Sequence, residues 1–292
     1  ITISDFFRIK FGERIEVIAS LLMIISFAVL LSGNLAAVAI ILGKIFGLSF
    51  FYSIILGFLF IFIYTYLGGF YSDVITDPIQ VLTFFIGILG ALALITINYG
   101  TSIFAHASSY SLTQFTSVQN GAMINWATII ALGLGDIIAV DFINRILSAK
   151  KTSYAQKGAI IGGVGTIIIG ALFAIFGVAS LSLANGNQDL FTILSSNFPF
   201  IISVLVLGAI ITASLSTADG ALLGPATLMA RNVLHKDTKK ITGMDPLLKY
   251  TRFYIIVIGL IGVIIALRIP QPGILLTLAF DVVLCSLFAC FV

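Results

Sequence analysis

Apolar residues along this chain gather into long runs, parted by short connections that hold most of the charge. A helix rises about 1.5 Å per residue and a bilayer's hydrocarbon core is about 30 Å thick, so a crossing needs roughly 17–25 apolar residues. Eight segments meet that length: Glu16–Phe46, Ser49–Tyr66, Ile75–Asn98, Ile124–Ser148, Gly158–Ala184, Phe198–Met229, Tyr250–Leu267 and Gly273–Val292. The first has 31 residues, too few for two crossings and a turn, and reads as one long tilted helix. Two outer connections add short elements. Tyr99 to Met123, rich in Ser, Thr, Gln and Asn, predicts a short surface or re-entrant helix, and Asn185 to Pro199 holds an amphipathic stretch at Leu190–Leu194.

The basic residues give these crossings a direction. Arg8, Lys10, Arg14, Arg145, Lys150, Lys151, Lys157, Arg231, Lys236, Lys239, Lys240, Lys249 and Arg252 fall on one side, and only Lys44 and Arg268 on the other. Cytoplasmic loops carry the excess of Lys and Arg, so residue 1 is expected on the cytoplasmic side of a multi-pass plasma-membrane protein.

Composition agrees and excludes alternatives. Of 292 residues, 60% are hydrophobic and 9% charged, with a mean hydropathy of +1.18. Soluble domains run about 25% charged. Nucleic-acid binding, a disordered scaffold and a disulfide-stapled secreted module are excluded on this balance. Cys285 and Cys290, five apart in one apolar run, face different sides of a helix and are expected as buried free thiols. The opening at Ile1 and the stop inside the last apolar run predict a fragment of a longer polytopic protein, a single transmembrane domain over 1–292 truncated at both ends.

Function has to come from polar residues inside the spans, where a charge costs several kcal/mol without a partner or a wet path. Asp136 and Asp141 lie in the fourth span, Asp219 in the sixth and Asp281 in the eighth, while Asp77 sits at the start of the third. No Lys or Arg is expected deep enough to pair with Asp136 or Asp281. Such carboxylates suit a cation, a proton or a positively charged substrate group; protonated side chains bonded to a neighbouring helix are the plain alternative. In the sixth span Ala213, Ser216 and Thr217 share a face at i, i+3 and i+4. Two hydroxyls and a freed carbonyl supply part of the oxygen shell that a hard cation needs. Ser and Thr in membrane helices also bond back to their own carbonyls or join neighbouring helices.

The fourth span carries Gly133-Leu134-Gly135-Asp136, where two glycines beside an acid permit an unwound midplane segment or a tight helix contact. The same four residues match the Gly-x-Gly-Asp pattern of intramembrane aspartyl proteases. The Tyr-Asp partner of that class is missing: Tyr71-Ser72-Asp73 is one residue off and in a loop, and no Pro-Ala-Leu element follows.

Several separated segments together resemble the sodium/solute symporter family. They are Thr2-Ile3-Ser4-Asp5-Phe6-Phe7 with Phe11-Gly12, Tyr64-Thr65-Tyr66-Leu67-Gly68-Gly69-Phe70 with Thr76-Asp77-x-x-Gln80, Asn144-Arg145-Ile146-Leu147-Ser148-Ala149-Lys150 with Ala155-Gln156-Lys157-Gly158, and Ser216-Thr217-Ala218-Asp219 with Ala230-Arg231-Asn232. The resemblance implies an all-α bundle with a leucine-transporter-like fold of inverted repeats, in which the eight spans match the third to tenth core helices and the first two are absent. It implies Na+ as coupling ion, held by the Ala213 carbonyl and the Ser216 and Thr217 hydroxyls. Asp77 and Asp219 are candidates for a second cation or an ion exit. Gly135 and Asp136 stand where sugar-transporting relatives place an aromatic gate, which turns the expectation from a sugar toward a small organic solute bearing an amino or other cationic group. Asn34 and Asp281 are further lining candidates on position alone. The function implied is sodium-coupled symport across the cell membrane, without catalytic residues or a bound cofactor. A proton-coupled or sodium-independent permease, and the membrane sensor domain of a histidine kinase, are the alternatives.

Overall fold

A computed structural model describes residues 2–101, 103, 112–183, 190–235 and 246–291, and among them the secondary structure is entirely helical. The helices are α1 (Ile3–Phe11), α2 (Glu13–Phe46), α3 (Phe50–Tyr99), α4 (Thr113–Thr116), α5 (Ala122–Ile137), α6 (Val140–Leu147), α7 (Thr152–Leu183), α8 (Leu190–Asn197), α9 (Phe200–Leu228), α10 (Pro246–Arg268), α11 (Pro272–Val283) and α12 (Ala289–Phe291). Seven described segments are long and apolar enough to cross a membrane, and α2 is the single long helix expected of the first run. The eighth expected crossing is helical from Pro272 to Phe291, as α11, a π-helical turn at Leu284–Phe288 and α12. Cys290 is exposed, against the expectation of a buried thiol, because it falls in the short α12 beyond that turn. The side chain of Cys285 lies outside the described residues.

The second and third crossings are two helices, taken together as α3, that meet at a kink where Gly69 takes φ 53° and ψ −145°. That conformation is open to glycine and strained for other residues. The outer connections carry the expected short elements, α4 with a 3-10 turn at Val118–Asn120, and α8.

The chain divides into two compact units. The first holds Ile1–Ile75, Trp126–Lys151 and Ser214–Val292, and the second holds Thr76–Asn125 and Thr152–Ala213. In the first, α2 is the central element, packed on α1, α10 and α11. Its core is built from Phe27, Leu31 and Leu35, all at most 2% exposed, with Ile138, Ala221 and Leu222 buried among the same cluster. Two contacts are tighter than side-chain packing alone. Ser26 Oγ donates to the Ala279 carbonyl at 2.6 Å, tying α2 to α11. Gly262 lets α10 approach so closely that an added Cβ would lie 2.7 Å from Leu31 Cδ2. Small residues at such crossings are how apolar helices associate where no hydrophobic force drives them.

In the second unit the later half of α3 meets the early part of α9. A Cβ at Gly87 would stand 2.8 Å from the Leu205 carbonyl oxygen, a backbone atom that cannot swing aside. Phe84 stacks obliquely on Phe173 of α7, with ring centroids 4.7 Å apart, and Ser203 Oγ donates to the Leu194 carbonyl at 3.0 Å, closing the turn between α8 and α9.

Gly87→Ala is expected to destabilise the protein by roughly 1–3 kcal/mol, as overpacking does. Gly90→Ala, whose Cβ would meet only the Ile202 Cδ1 terminus at 3.2 Å, should be milder. Thermal unfolding of the two variants in detergent orders them, and equal midpoints would contradict the packing described.

Candidate functional site

The fourth crossing is broken. α5 ends at Ile137, and Ala139 is extended at φ −61° and ψ 130° before α6 begins at Val140. The Ile138 and Ala139 amides reach back only three residues, to the Gly135 and Asp136 carbonyls at 3.2 Å each. The break thus falls just past the Gly133–Asp136 segment that the two glycines marked. Gly135 is needed for a second reason: its Cβ would press on Phe280 of α11 at 3.1 Å.

Restarting the helix at Val140 puts Asp141 in its first turn and Arg145 in its last. α9 passes close by. An added Cβ at Gly220 would lie 3.1 Å from Asp141 Cβ, and one at Gly224 the same distance from Val140 Cγ1. These glycines, four residues apart, let the α9 backbone lie against α6.

A cavity of about 230 Å³ opens beside this contact, lined by Leu30, Asp136, Asp141, Phe142, Arg145, Ser216, Thr217 and Phe280. Two hydroxyl-bearing residues and two carboxylates from a broken helix therefore share one chamber within the first unit. Asp136 is exposed and Ser216 and Thr217 are half-buried. The chamber shares Asp141 and Arg145 with a much smaller one of about 20 Å³, whose other lining includes Phe70, Asn144, Asp219 and Gly220.

Several expectations change here. Arg145, a basic residue the sequence had not set beside the acids, lines the same cavity as Asp136. Asp219 is fully buried and accepts a hydrogen bond from the Thr65 hydroxyl, joining α9 to α3. Asp77 is half-buried in the second unit, next to Pro78 inside the helix. Ala213, one turn before Ser216, is exposed and also belongs to the second unit. Asn34 is 5% exposed and donates to its own helix's Leu30 carbonyl at 2.9 Å, so its neighbour Leu30 reaches the cavity and Asn34 does not line it. Asp281 is half-buried on α11; Phe280, the residue before it, lines the chamber.

Sequence reading named Asp141 as an intramembrane acid but did not assign it to the site, and it missed Phe142, Arg145 and Phe280. The i, i+4 spacing of Asp141 and Arg145 was available as a signal. The phase of α11, one residue off, was not. Among the described residues no three His, Cys, Asp or Glu side chains gather as a metal site. Two carboxylates, two hydroxyls and a guanidinium suit a weakly held monovalent cation and a polar solute better than a divalent metal.

The family model for sodium:solute symporters matches residues 1–292. The chain belongs to the sodium:solute symporter family. Relatives of this family that it resembles include high-affinity choline transporter 1 of Drosophila melanogaster, 26% identical over 303 residues, covering 99% of this chain and 49% of the relative. Sodium/proline symporter 2 of Staphylococcus saprophyticus is 24% identical over 237 residues, covering 76% of this chain and 46% of the symporter. The chain spans about half the length of these curated relatives. A solved structure of a Na+-coupled sialic acid symporter, in its substrate-bound outward-open state, matches with a TM-score of 0.75 at 17% identity. The match covers 97% of this chain and 65% of the symporter and shows a shared leucine-transporter-like fold. The family and these relatives are transporters.

Gly220→Val should press on Asp141 and destabilise the protein by roughly 1–3 kcal/mol, as overpacking does. Thermal unfolding of the variant in detergent measures it, and a wild-type midpoint would refute the close contact.

Proposed function

We propose that this chain carries the ion- and solute-handling part of a sodium-coupled symporter for a small organic solute, with residue 1 on the cytoplasmic side. One observation supports the reading above the others: Ser216 and Thr217 share a cavity with Asp136 and Asp141 at the break between α5 and α6. A sodium ion needs several converging oxygens, and two hydroxyls on one turn of α9 supply two. The Ala213 carbonyl is proposed as a further ligand. Asp77 and Asp219 are proposed as later stations for the cation as it leaves toward the cytoplasm. The thirteen-to-two distribution of basic residues supports the orientation.

For the solute we infer an amino or quaternary ammonium group. Asp136 offers a carboxylate, and Phe142 and Phe280 offer rings whose faces attract cations. Choline and proline, named for the relatives, both carry a positively charged nitrogen. Gly135 lends room beside Asp136, while Asn34 and Asp281 stand behind the lining and act on its shape.

The driving force is electrical as well as chemical. One sodium ion moving inward through 100 mV yields about 2.3 kcal/mol. Coupling requires that ion and solute favour the same conformation, so that binding of both shifts the population toward closure by their differential affinity.

In the full-length protein, Ser216→Ala or Thr217→Ala is expected to raise the sodium concentration for half-maximal uptake about tenfold, equivalent to roughly 1.4 kcal/mol. A solute panel in proteoliposomes under an imposed sodium gradient reads it. Uptake that persists when K+ replaces Na+ would point instead to a sodium-independent or proton-driven permease. Asp136→Asn should weaken the solute with little change in sodium dependence, and a silent variant would remove Asp136 from the solute's contacts.

A further inference from the structure

The inner end of α9 carries a second polar cluster, apart from the cavity. Asn232 and Glu16 are each 1% exposed and Thr2 is 5% exposed, and burying such groups is costly unless each is bonded. The Asn232 amide is saturated. Its Nδ2 donates to Asp5 Oδ1 at 3.0 Å and to Glu16 Oε1 at 2.7 Å, and its Oδ1 accepts from Thr2 Oγ1 at 2.9 Å. Arg231 Nη2 adds a bond to Asp5 Oδ2 at 3.1 Å. One side chain therefore fastens α9 to both α1 and α2. Asp5, outside the membrane, is pushed up by burial. The Thr2 amide, the charge of Arg231 and the bonds from Arg231 and Asn232 outweigh that and hold it below its ordinary value.

The hydrogen-bond ladder is irregular at this end of α9. Pro225 lacks the amide that would continue the ladder, and Met229–Val233 has widened into a π-helical turn. Thr217 lies fifteen residues up the same helix, about 22 Å at the α-helical rise. Between them Gly220 and Gly224 hold α9 against α6 with contacts that leave no slack. Slippage or rotation at the inner end would carry Ser216 and Thr217 with it.

We propose that Asn232 is a positioning residue for the cation site, fixing the height and rotation of α9 so that Ser216 and Thr217 stay at the cavity. This rests on the sodium reading of that cavity. The motifs Thr2–Phe7 and Ala230–Asn232, far apart in sequence, acquire one purpose in it.

The test is equilibrium binding of radiolabelled sodium to the purified full-length protein. Asn232→Asp keeps the outline but turns two donors into acceptors facing Asp5 and Glu16. It is expected to weaken sodium binding about tenfold, the order of a lost buried hydrogen bond to a charged group. Adding Glu16→Gln returns a donor and should recover most of that loss, which a general loosening of the fold would not permit. Asp5→Asn, which keeps an acceptor for Asn232 but drops the charge facing Arg231, should cost about threefold and serves if Asn232→Asp does not insert. Unchanged affinity in both variants, or a loss that Glu16→Gln leaves untouched, overturns the positioning role. A wild-type protein that binds no sodium overturns the sodium reading itself, and this outcome is distinct from either of those.

Discussion

A helix that stops inside an apolar slab leaves amides and carbonyls without partners, and lipid cannot supply any. The break at Ile138–Ala139 is tolerated because protein surrounds it: Phe280 presses on Gly135 from one direction, and Gly220 and Gly224 bring α9 in from another. Once the break exists, the rest of the chamber follows. The polar ends of two half-helices meet hydroxyls on α9, and the carboxylates at positions 136 and 141 no longer face hydrocarbon alone.

Glycine does different physical work at each place it matters. Gly69 supplies the backbone conformation of the kink at which the two helices of α3 meet. Gly87, Gly220, Gly224 and Gly262 supply absence, the missing methyl that lets one backbone or ring seat against another. The two uses are indistinguishable by composition, and only the second builds the site.

Most of the fold was legible in the sequence because hydropathy and charge act over whole segments. Seven of the expected crossings correspond to long apolar helices, and α4 and α8 fall in the connections that predicted them. The π-helical turn within the eighth is a local hydrogen-bond choice that leaves no mark in apolar content. The site was half legible. Ser216, Thr217 and Asp136 declared themselves as polar groups in apolar surroundings, whereas Arg145, counted among the basic residues of one side, gave no sign that it would share their cavity. Asn34 shows the converse: a polar residue in a span can spend a donor on its own helix, through the Leu30 carbonyl, and stay out of the cavity's lining.

The wide turn at Met229–Val233 also constrains how this sequence can drift. A π-helical turn holds one residue more than the α-helix around it. Arg231 and Asn232 lie inside that turn, so the angles at which they meet Asp5 and Glu16 are those of the widened ladder rather than of a regular α-turn. The irregular turn and the two residues it presents must be inherited together, and a more regular α9 would be one that had lost its grip on α1 and α2.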